Sequence, residues 1–291
     1  MEPTPIQFQA AMNSPLRTKP RVASRWPSDA VFYASLTVIG GLYVALIVAL
    51  VWADTAYTSP DHLWAALASP EIQYAIELSL FSCTLTALLS LGVAIPLGYL
   101  MARCRFYGHG LVDAILDIPI VLPPLVVGLS LLILFQTSFG RAVERIIPVT
   151  YEIPSVILAQ FSVACAFAVR TMRVTFDQIN PRNELVALTL GCTRSQAFWR
   201  VALPEARRGV LTAATLAWAR ALGEFGPILV FSGATRMKTE VLSTTVFLEL
   251  SVGNLEAAVA VSLLMIAAAV LVLLLVRWFG TEGTLGKAVN P

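Results

Sequence analysis

The sequence predicts an all-α integral membrane protein with six transmembrane helices and cytoplasmic N and C termini. Three observations predict it. Hydrophobic residues fill 57% of the 291 positions, and the mean hydropathy is +0.75. Only 13% of residues are charged, too few to cover a soluble domain of this length. Six apolar runs approach the roughly 20 residues a helix needs to cross a hydrocarbon core.

In chain order, residues 1–28 are polar and carry Pro3, Pro5, Pro15, Pro20 and Pro27, the composition of a disordered cytoplasmic tail. Residues 29–54 hold the first run, Val31–Ala53. It is too long for a signal-peptide core and lacks a small-residue cleavage site, so it is expected to stay in the membrane. Residues 75–278 hold the other five runs: Ala75–Leu100, Leu111–Phe135, Ile153–Val169, Val210–Gly233 and Ala257–Val276. The fourth run, Ile153–Val169, is short and must extend into the polar residues after it. Residues 279–291 read as a second cytoplasmic tail.

Orientation follows from lysine and arginine. With the N-terminus inside, only Arg141, Arg145, Arg236 and Lys238 fall outside, Arg220 lies within a run, and the other 15 of the 20 basic residues are cytoplasmic. The segment 54–73 has acids and no base, as an external loop should.

Composition also excludes classes. A net charge of +2 without a basic, aromatic-rich patch argues against nucleic acid. Cys83, Cys104, Cys165 and Cys192 lie far apart, and His62 and His109 are isolated, so neither a metal site nor a disulfide framework is indicated. No G-x-x-x-x-G-K-[ST] occurs. No nucleophile–base pair or paired carboxylates accompany the runs, and Glu77, Asp113 and Asp117 read as solvated residues near run ends. The chain is not expected to be an enzyme.

Between the fourth and fifth runs lies ELVALTLGCTRSQAFWRVALPEARRG, residues 184–209. Asn180-Pro181 is a helix start, with asparagine as cap and proline in the first position. Leu185 and Leu188 share a face, and Gly191 is a left-handed stop. Thr193 and Gln196 have capping-box spacing, so a second short helix begins there, presents Phe198 and Trp199, and ends before Pro204. A solvated loop accounts for the arginines. Paired caps and two aromatics with no domain to bury them point instead to a stiff knob that docks a partner.

These residues resemble the EAA signature of ABC importer permeases: Gly191, then Leu203-Pro204, with Phe198 and Val201 between. The family's Glu-Ala-Ala stands here as Leu185-Val186-Ala187, with the glutamate one place earlier at Glu184, which leaves open what that carboxylate pairs with. The stretches DIPIVLPPLVVG (117–128) and ARALGEFGPILVFSGATRMKTEVL (219–242) are similar to the molybdate branch of oxyanion permeases, whose relatives carry sulfate and tungstate.

The resemblance implies a type I ABC importer permease fold over 75–278, with 29–54 an additional N-terminal helix and 180–204 a cytoplasmic coupling loop. Glu184, Ala187, Gly191, Phe198, Trp199, Leu203 and Pro204 would couple to the ATPase. It implies a cytoplasmic ABC ATPase dimer, an extracytoplasmic substrate-binding protein, a second copy of the chain and membrane lipid as partners. The chain itself would bind no cofactor; ATP and Mg would be used by the ATPase.

Candidates for the translocation path are Arg220, Glu224, Pro123 and Pro124. Arg220 and Glu224 are four apart in the fifth run, hence on one helix face. Charges at that depth cost at least ~2.5 kcal/mol each and must face protein or water. One reading has them lining the path near an outer gate, the other makes them a structural ion pair. Pro119, Pro123 and Pro124 interrupt the third run, as a broken helix beside a pore or as a kink, and Gly226-Pro227 invites the same pair of readings. A rival class, the ion-coupled secondary transporter, requires inverted repeats with matching broken helices. These two interruptions are the one such pair, and the flanking segments do not mirror each other.

Overall fold

The computed structural model describes residues 27–285 and is helical throughout, without strands among those residues. The predicted tail at 1–28 lies outside them except at its end, where α1 (Pro27–Tyr57) begins. After α1 come α2 (Pro60–Ala68), α3 (Pro70–Arg103), α4 (His109–Val121), α5 (Pro124–Gln136), α6 (Ser138–Glu144) and α7 (Ile153–Gln178). Then follow α8 (Pro181–Thr189), α9 (Arg194–Ala197), a π-helical turn (Phe198–Ala202) and α10 (Leu203–Glu205). The chain continues through α11 (Arg207–Leu222), α12 (Gly226–Phe231), α13 (Leu242–Val252) and α14 (Leu255–Leu285). The last helix continues past the predicted boundary at 278, and residues 286–291 of the predicted C-terminal tail lie outside the described residues.

The chain divides into two compact units, 1–53 and 54–291. In the first, α1 is apolar on every side and its side chains from residue 30 to 50 are exposed, which suits a helix surrounded by lipid.

Among the described residues, α1, α3, α7 and α14 are long and apolar enough to cross a membrane. The fourth predicted run does extend into its polar continuation, because α7 reaches Gln178. The third and fifth are not single helices. In the third, α4 and α5 meet at 110°. Leu122 and Pro123 each precede a proline, whose ring disfavours helical backbone at the residue before it. Both adopt extended ψ values, 140° and 133°. At 1.5 Å per residue each 13-residue arm is about 20 Å long, short of a ~30 Å core. The fifth run breaks at residues 223–225, between α11 and α12.

The main core forms where α3, α7 and α11 pack together, with α14 against them. Lipid offers no hydrophobic drive between such helices, so close backbone approach must supply the attraction. Small residues at four-residue spacing provide it: Ala213, Ala217 and Ala221 on α11, and Ala164 and Ala168 on α7, all fully buried. On α3 the series Ser90, Ala94, Gly98 plays the same part, and a carbon added at Gly98 would lie 2.7 Å from Met172 Cβ and 2.9 Å from the Arg173 nitrogen. Gln160 ties the three helices together, accepting from the Thr86 hydroxyl at 3.2 Å and donating to the Ala221 carbonyl at 3.3 Å. A smaller cluster at the opposite end, including Leu78, Val156, Ile228 and Phe231, joins α12 to α3 and α7.

At that end Glu144 closes the turn after α6. Its carboxylate accepts the Val149 and Thr150 amides at 3.1 and 2.7 Å and the Thr150 hydroxyl. Above all it is the Thr150 hydroxyl that holds this carboxyl below its ordinary range, with the two amides adding to it.

Two outcomes follow from this packing. Gly98→Ala should destabilise the detergent-solubilised chain by about 1–3 kcal/mol, seen as a lower unfolding midpoint, because backbone stands in the way of the new methyl. An unchanged midpoint would mean that α3 and α7 do not depend on this contact. For Glu144 the depressed value means stabilisation above the unfolded carboxylate range, lost as pH falls through the folded value. The midpoint difference between wild type and Glu144→Gln should therefore be present at pH 6 and close below about pH 4.

Candidate functional site

The elbow between α7 and α11 is built as its local sequence directs. Asn180 caps α8 by accepting the Arg182 amide at 3.0 Å, with Pro181 first in the helix. Gly191 turns the chain at φ +88°, a left-handed conformation that costs a side-chain-bearing residue about 1–2 kcal/mol. The capping box then forms in both directions: the Thr193 hydroxyl accepts the Gln196 amide at 3.2 Å, and the Gln196 carbonyl accepts the Thr193 amide at 2.9 Å.

Three expectations change here. The helical run does not end before Pro204. It passes through the π turn at Phe198–Ala202 into α10, which contains Pro204; a widened turn accommodates a proline that brings no N–H donor. The inward face of α8 is Glu184 and Ala187, while Leu185 is exposed. Phe198 is not part of an exposed aromatic pair. It turns inward, its ring 4.8 Å from Tyr99 and 6.4 Å from Phe176, while Trp199 stays 63% exposed. The outward apolar surface is thus Leu185, Val186, Leu190 and Trp199. Leu203 and Pro204 lie at the return to α11.

Arg103, which the sequence assigned only to charge bias, anchors the elbow. From the last turn of α3 its Nε donates to Glu184 at 2.9 Å, and its two terminal nitrogens donate to the carbonyls of Phe176 and Ile179 at 2.8 and 3.0 Å. Those carbonyls belong to the end of α7, where four have no partner within the helix. The Tyr99 hydroxyl donates to the other Glu184 oxygen at 2.6 Å. Glu184 is therefore the residue that fastens α8 to α3 and, through Arg103, to the end of α7.

The two broken runs meet each other. A carbon added at Gly128 of α5 would lie 2.7 Å from Pro227 Cα, and one at Gly226 would lie 3.0 Å from the Leu125 nitrogen and 3.1 Å from Pro124 Cβ. Pro123 caps α5 at the break. Arg220 and Glu224 do not share a helix face, because α11 ends at Leu222 and Glu224 lies in the gap before α12. They pair nevertheless at 2.6 Å across the helix end. The Glu224 side chain is 1% exposed and that of Arg220 27%, its guanidinium 5.8 Å above the Phe167 ring. The Glu224 carbonyl accepts the Ser243 hydroxyl at 2.7 Å, which binds the gap to α13.

Sequence reasoning missed two further sets of contacts. Asp113 and Asp117 are not solvated ends: Asp117 pairs with Arg170 at 2.5 Å and Asp113 with Arg173. Acids four apart in one run and bases three apart in another were the available signal. The segment 232–241 is fastened throughout. The Thr239 hydroxyl joins Thr235 to Ser232, Arg236 pairs with Glu249 at 2.8 Å, Lys238 with Glu152 at 2.5 Å, and Ser79 accepts the Leu242 amide. It contains left-handed Ala234 and Met237, and burial holds the Glu240 carboxyl above its ordinary range. A cavity of about 640 Å³ between α7 and α11 is lined by Arg170, Gln178 and Arg208 among others.

Against known proteins, residues 94–281 match the family model described as the binding-protein-dependent transport system inner membrane component. The chain is 31% identical to the sulfate transport system permease protein CysT of Escherichia coli (strain K12), covering 80% of this chain and 86% of that one. It is 31% identical to the molybdenum transport system permease protein ModB of Mycobacterium tuberculosis over 85% and 94% of the two chains. The molybdate/tungstate transport system permease protein WtpB of Thermococcus kodakarensis is 35% identical over 65% and 72%. Among solved structures, a chain of a bacterial alginate ABC transporter, in complex with its alginate pentasaccharide-bound periplasmic protein, superposes with a TM-score of 0.69. Identity there is 20%, over 91% of this chain and 98% of that one, a likeness of fold.

Glu184→Ala should strand Arg103 and the Tyr99 hydroxyl in a half-buried site, at about 1–3 kcal/mol. The elbow should loosen, so limited trypsin cleavage at Arg182 and Arg194 should accelerate about tenfold while the rest of the chain stays resistant. Unchanged cleavage would show that Phe198 packing alone holds the elbow.

Proposed function

Because the chain belongs to the binding-protein-dependent transport system inner membrane component family, we propose that it is the membrane subunit of an ABC importer for a tetrahedral oxyanion, molybdate foremost. It is a multi-pass membrane protein. In this reading it crosses six times, each broken pair making one crossing, with both termini and the elbow on the cytoplasmic side. It works as a homodimer with two ATPase subunits that use ATP and Mg, and an extracytoplasmic binding protein hands it the anion.

The observation that carries the reading is the elbow: capped at both helices, fastened to α3 and α7 through Arg103, and apolar outward at Leu185, Val186, Leu190 and Trp199. A surface that is both apolar and rigidly held suits a partner that transmits force. ATP-driven closure of the ATPase pair would draw two elbows together and rotate the helix bundles between two packed arrangements. Arg220, Glu224, Pro123 and Pro124 would stand at the path. The positive guanidinium is partly exposed and suits an anion, and the buried carboxylate restrains it. Molybdate is favoured by the ModB and WtpB names; the CysT name keeps sulfate in view, and WtpB tungstate.

The test is uptake of labelled molybdate into proteoliposomes containing the chain, its ATPase and its binding protein, with tungstate and sulfate as competitors. Uptake that requires ATP and ATPase is expected, and Gly191→Pro should abolish co-purification of the ATPase. Uptake by the chain alone would favour an ion-coupled secondary transporter, and stronger competition by sulfate than by tungstate would move the substrate to sulfate.

A further inference from the structure

Helix α4 is lightly held. None of its side chains is buried, and its packing is chiefly against α7. Leu116 packs on the main core and the His109 ring meets the Met101 carbonyl at 3.0 Å; along its length a pair of ion bridges ties it to α7. Asp113 and Asp117 stand one turn apart on α4, and Arg173 and Arg170 stand one turn apart on α7. They pair crosswise, Asp113 with Arg173 and Asp117 with Arg170. This is the pattern of two rungs between antiparallel helices. Arg173 also lies 3.9 Å from Asp177 in its own helix.

The position of these rungs matters because of what lies on either side. Towards the elbow, α7 ends at the carbonyls held by Arg103, which also holds Glu184. Away from it, α4 stays helical through Pro119 to the break at Leu122-Pro123, and α5 beyond the break rests on α12 through Gly128 and Gly226. A contiguous path therefore runs from the elbow through α7, across the rungs to α4, and on to the meeting of the two breaks. A helix with so little buried surface would otherwise slide on its neighbour.

We propose that the bridges Asp113–Arg173 and Asp117–Arg170 are positioning contacts that carry displacement of the elbow to the broken helix α4–α5. The proposal rests on the importer reading above. These residues do not touch the transported anion; they make α4 move with α7. Exposed or half-exposed ion pairs add only about 0–1 kcal/mol each to stability, so their removal should leave the fold standing while transmission fails.

The complete transporter in proteoliposomes gives the first readout. In Asp113→Asn/Asp117→Asn, ATP hydrolysis should stay within roughly twofold of wild type, and anion uptake per ATP should fall about tenfold. Exchanging the charges, with Asp113→Arg and Asp117→Arg combined with Arg170→Asp and Arg173→Asp, should recover most of the loss. Uptake and hydrolysis falling in parallel, uptake unchanged, or exchange without recovery would each overturn the proposal.

A second readout needs no transport. Spin labels at Gly110 of α4 and Ser195 of the elbow, in the full chain with Cys104, Cys165 and Cys192 replaced by serine, should give one narrow distance distribution that broadens in the double asparagine variant. An unbroadened distribution would overturn the proposal. Failure of the importer reading would show separately, as a wild-type complex without ATP-driven uptake whose label distances still respond to the substitutions.

Discussion

At the elbow end of this molecule one guanidinium joins two elements that the chain keeps far apart. Arg103 closes the carbonyl end of α7 and grips the first helix of the elbow in the same stroke, with side-chain exposure of only 12%. Removing charges from water is costly unless each is fully partnered, and here the partners are a carboxylate, two carbonyls and, on the carboxylate's far side, a tyrosine hydroxyl. The direction in which α8 leaves the bundle is set by this arrangement and by Phe198 packed on Tyr99. Stiffness in this elbow comes from such satisfied polar contacts more than from the short helices, which are too brief to be stable alone.

The middle of the bundle obeys a different constraint. With lipid outside, helices hold together only where backbones come close, and alanine, serine and glycine stripes on α3, α7 and α11 allow that. Proline and glycine then interrupt the two runs that do not belong to this tight trio along their whole length. Backbone groups freed at such interruptions need company from protein or water, and the structure supplies it by setting the interruptions against each other and by aiming the Ser243 hydroxyl at the Glu224 carbonyl. The Arg220–Glu224 pair spans one of these gaps, so it braces a helix end.

Legibility in the sequence tracked the range of the interaction. The caps at Asn180 and Thr193 and the turn at Gly191 were readable because each is decided within three residues. So were the helical class and the long apolar runs, which composition and periodicity govern. The role of Arg103 was not readable: its partners lie 73, 76 and 81 residues away. Asp113 and Asp117 were misread for the same reason, since their bases sit 60 and 53 residues off. Phe198 and Trp199 looked equivalent as neighbours in the chain, and only the packing of Tyr99 and Phe176 separates the inward ring from the outward one. The fifth run was too generous because Gly226-Pro227 was read as a feature inside a helix, whereas helix α11 had already stopped.

At the crossing of α5 and α12, glycine and proline leave nothing soft between the two chains. Side chains elsewhere can change rotamer and absorb an ångström of travel, but main chain pressed on main chain is nearly incompressible. Such a joint behaves as a mechanical stop: it is either seated or parted. The two broken helices should accordingly take discrete positions against each other, with no graded intermediate between them.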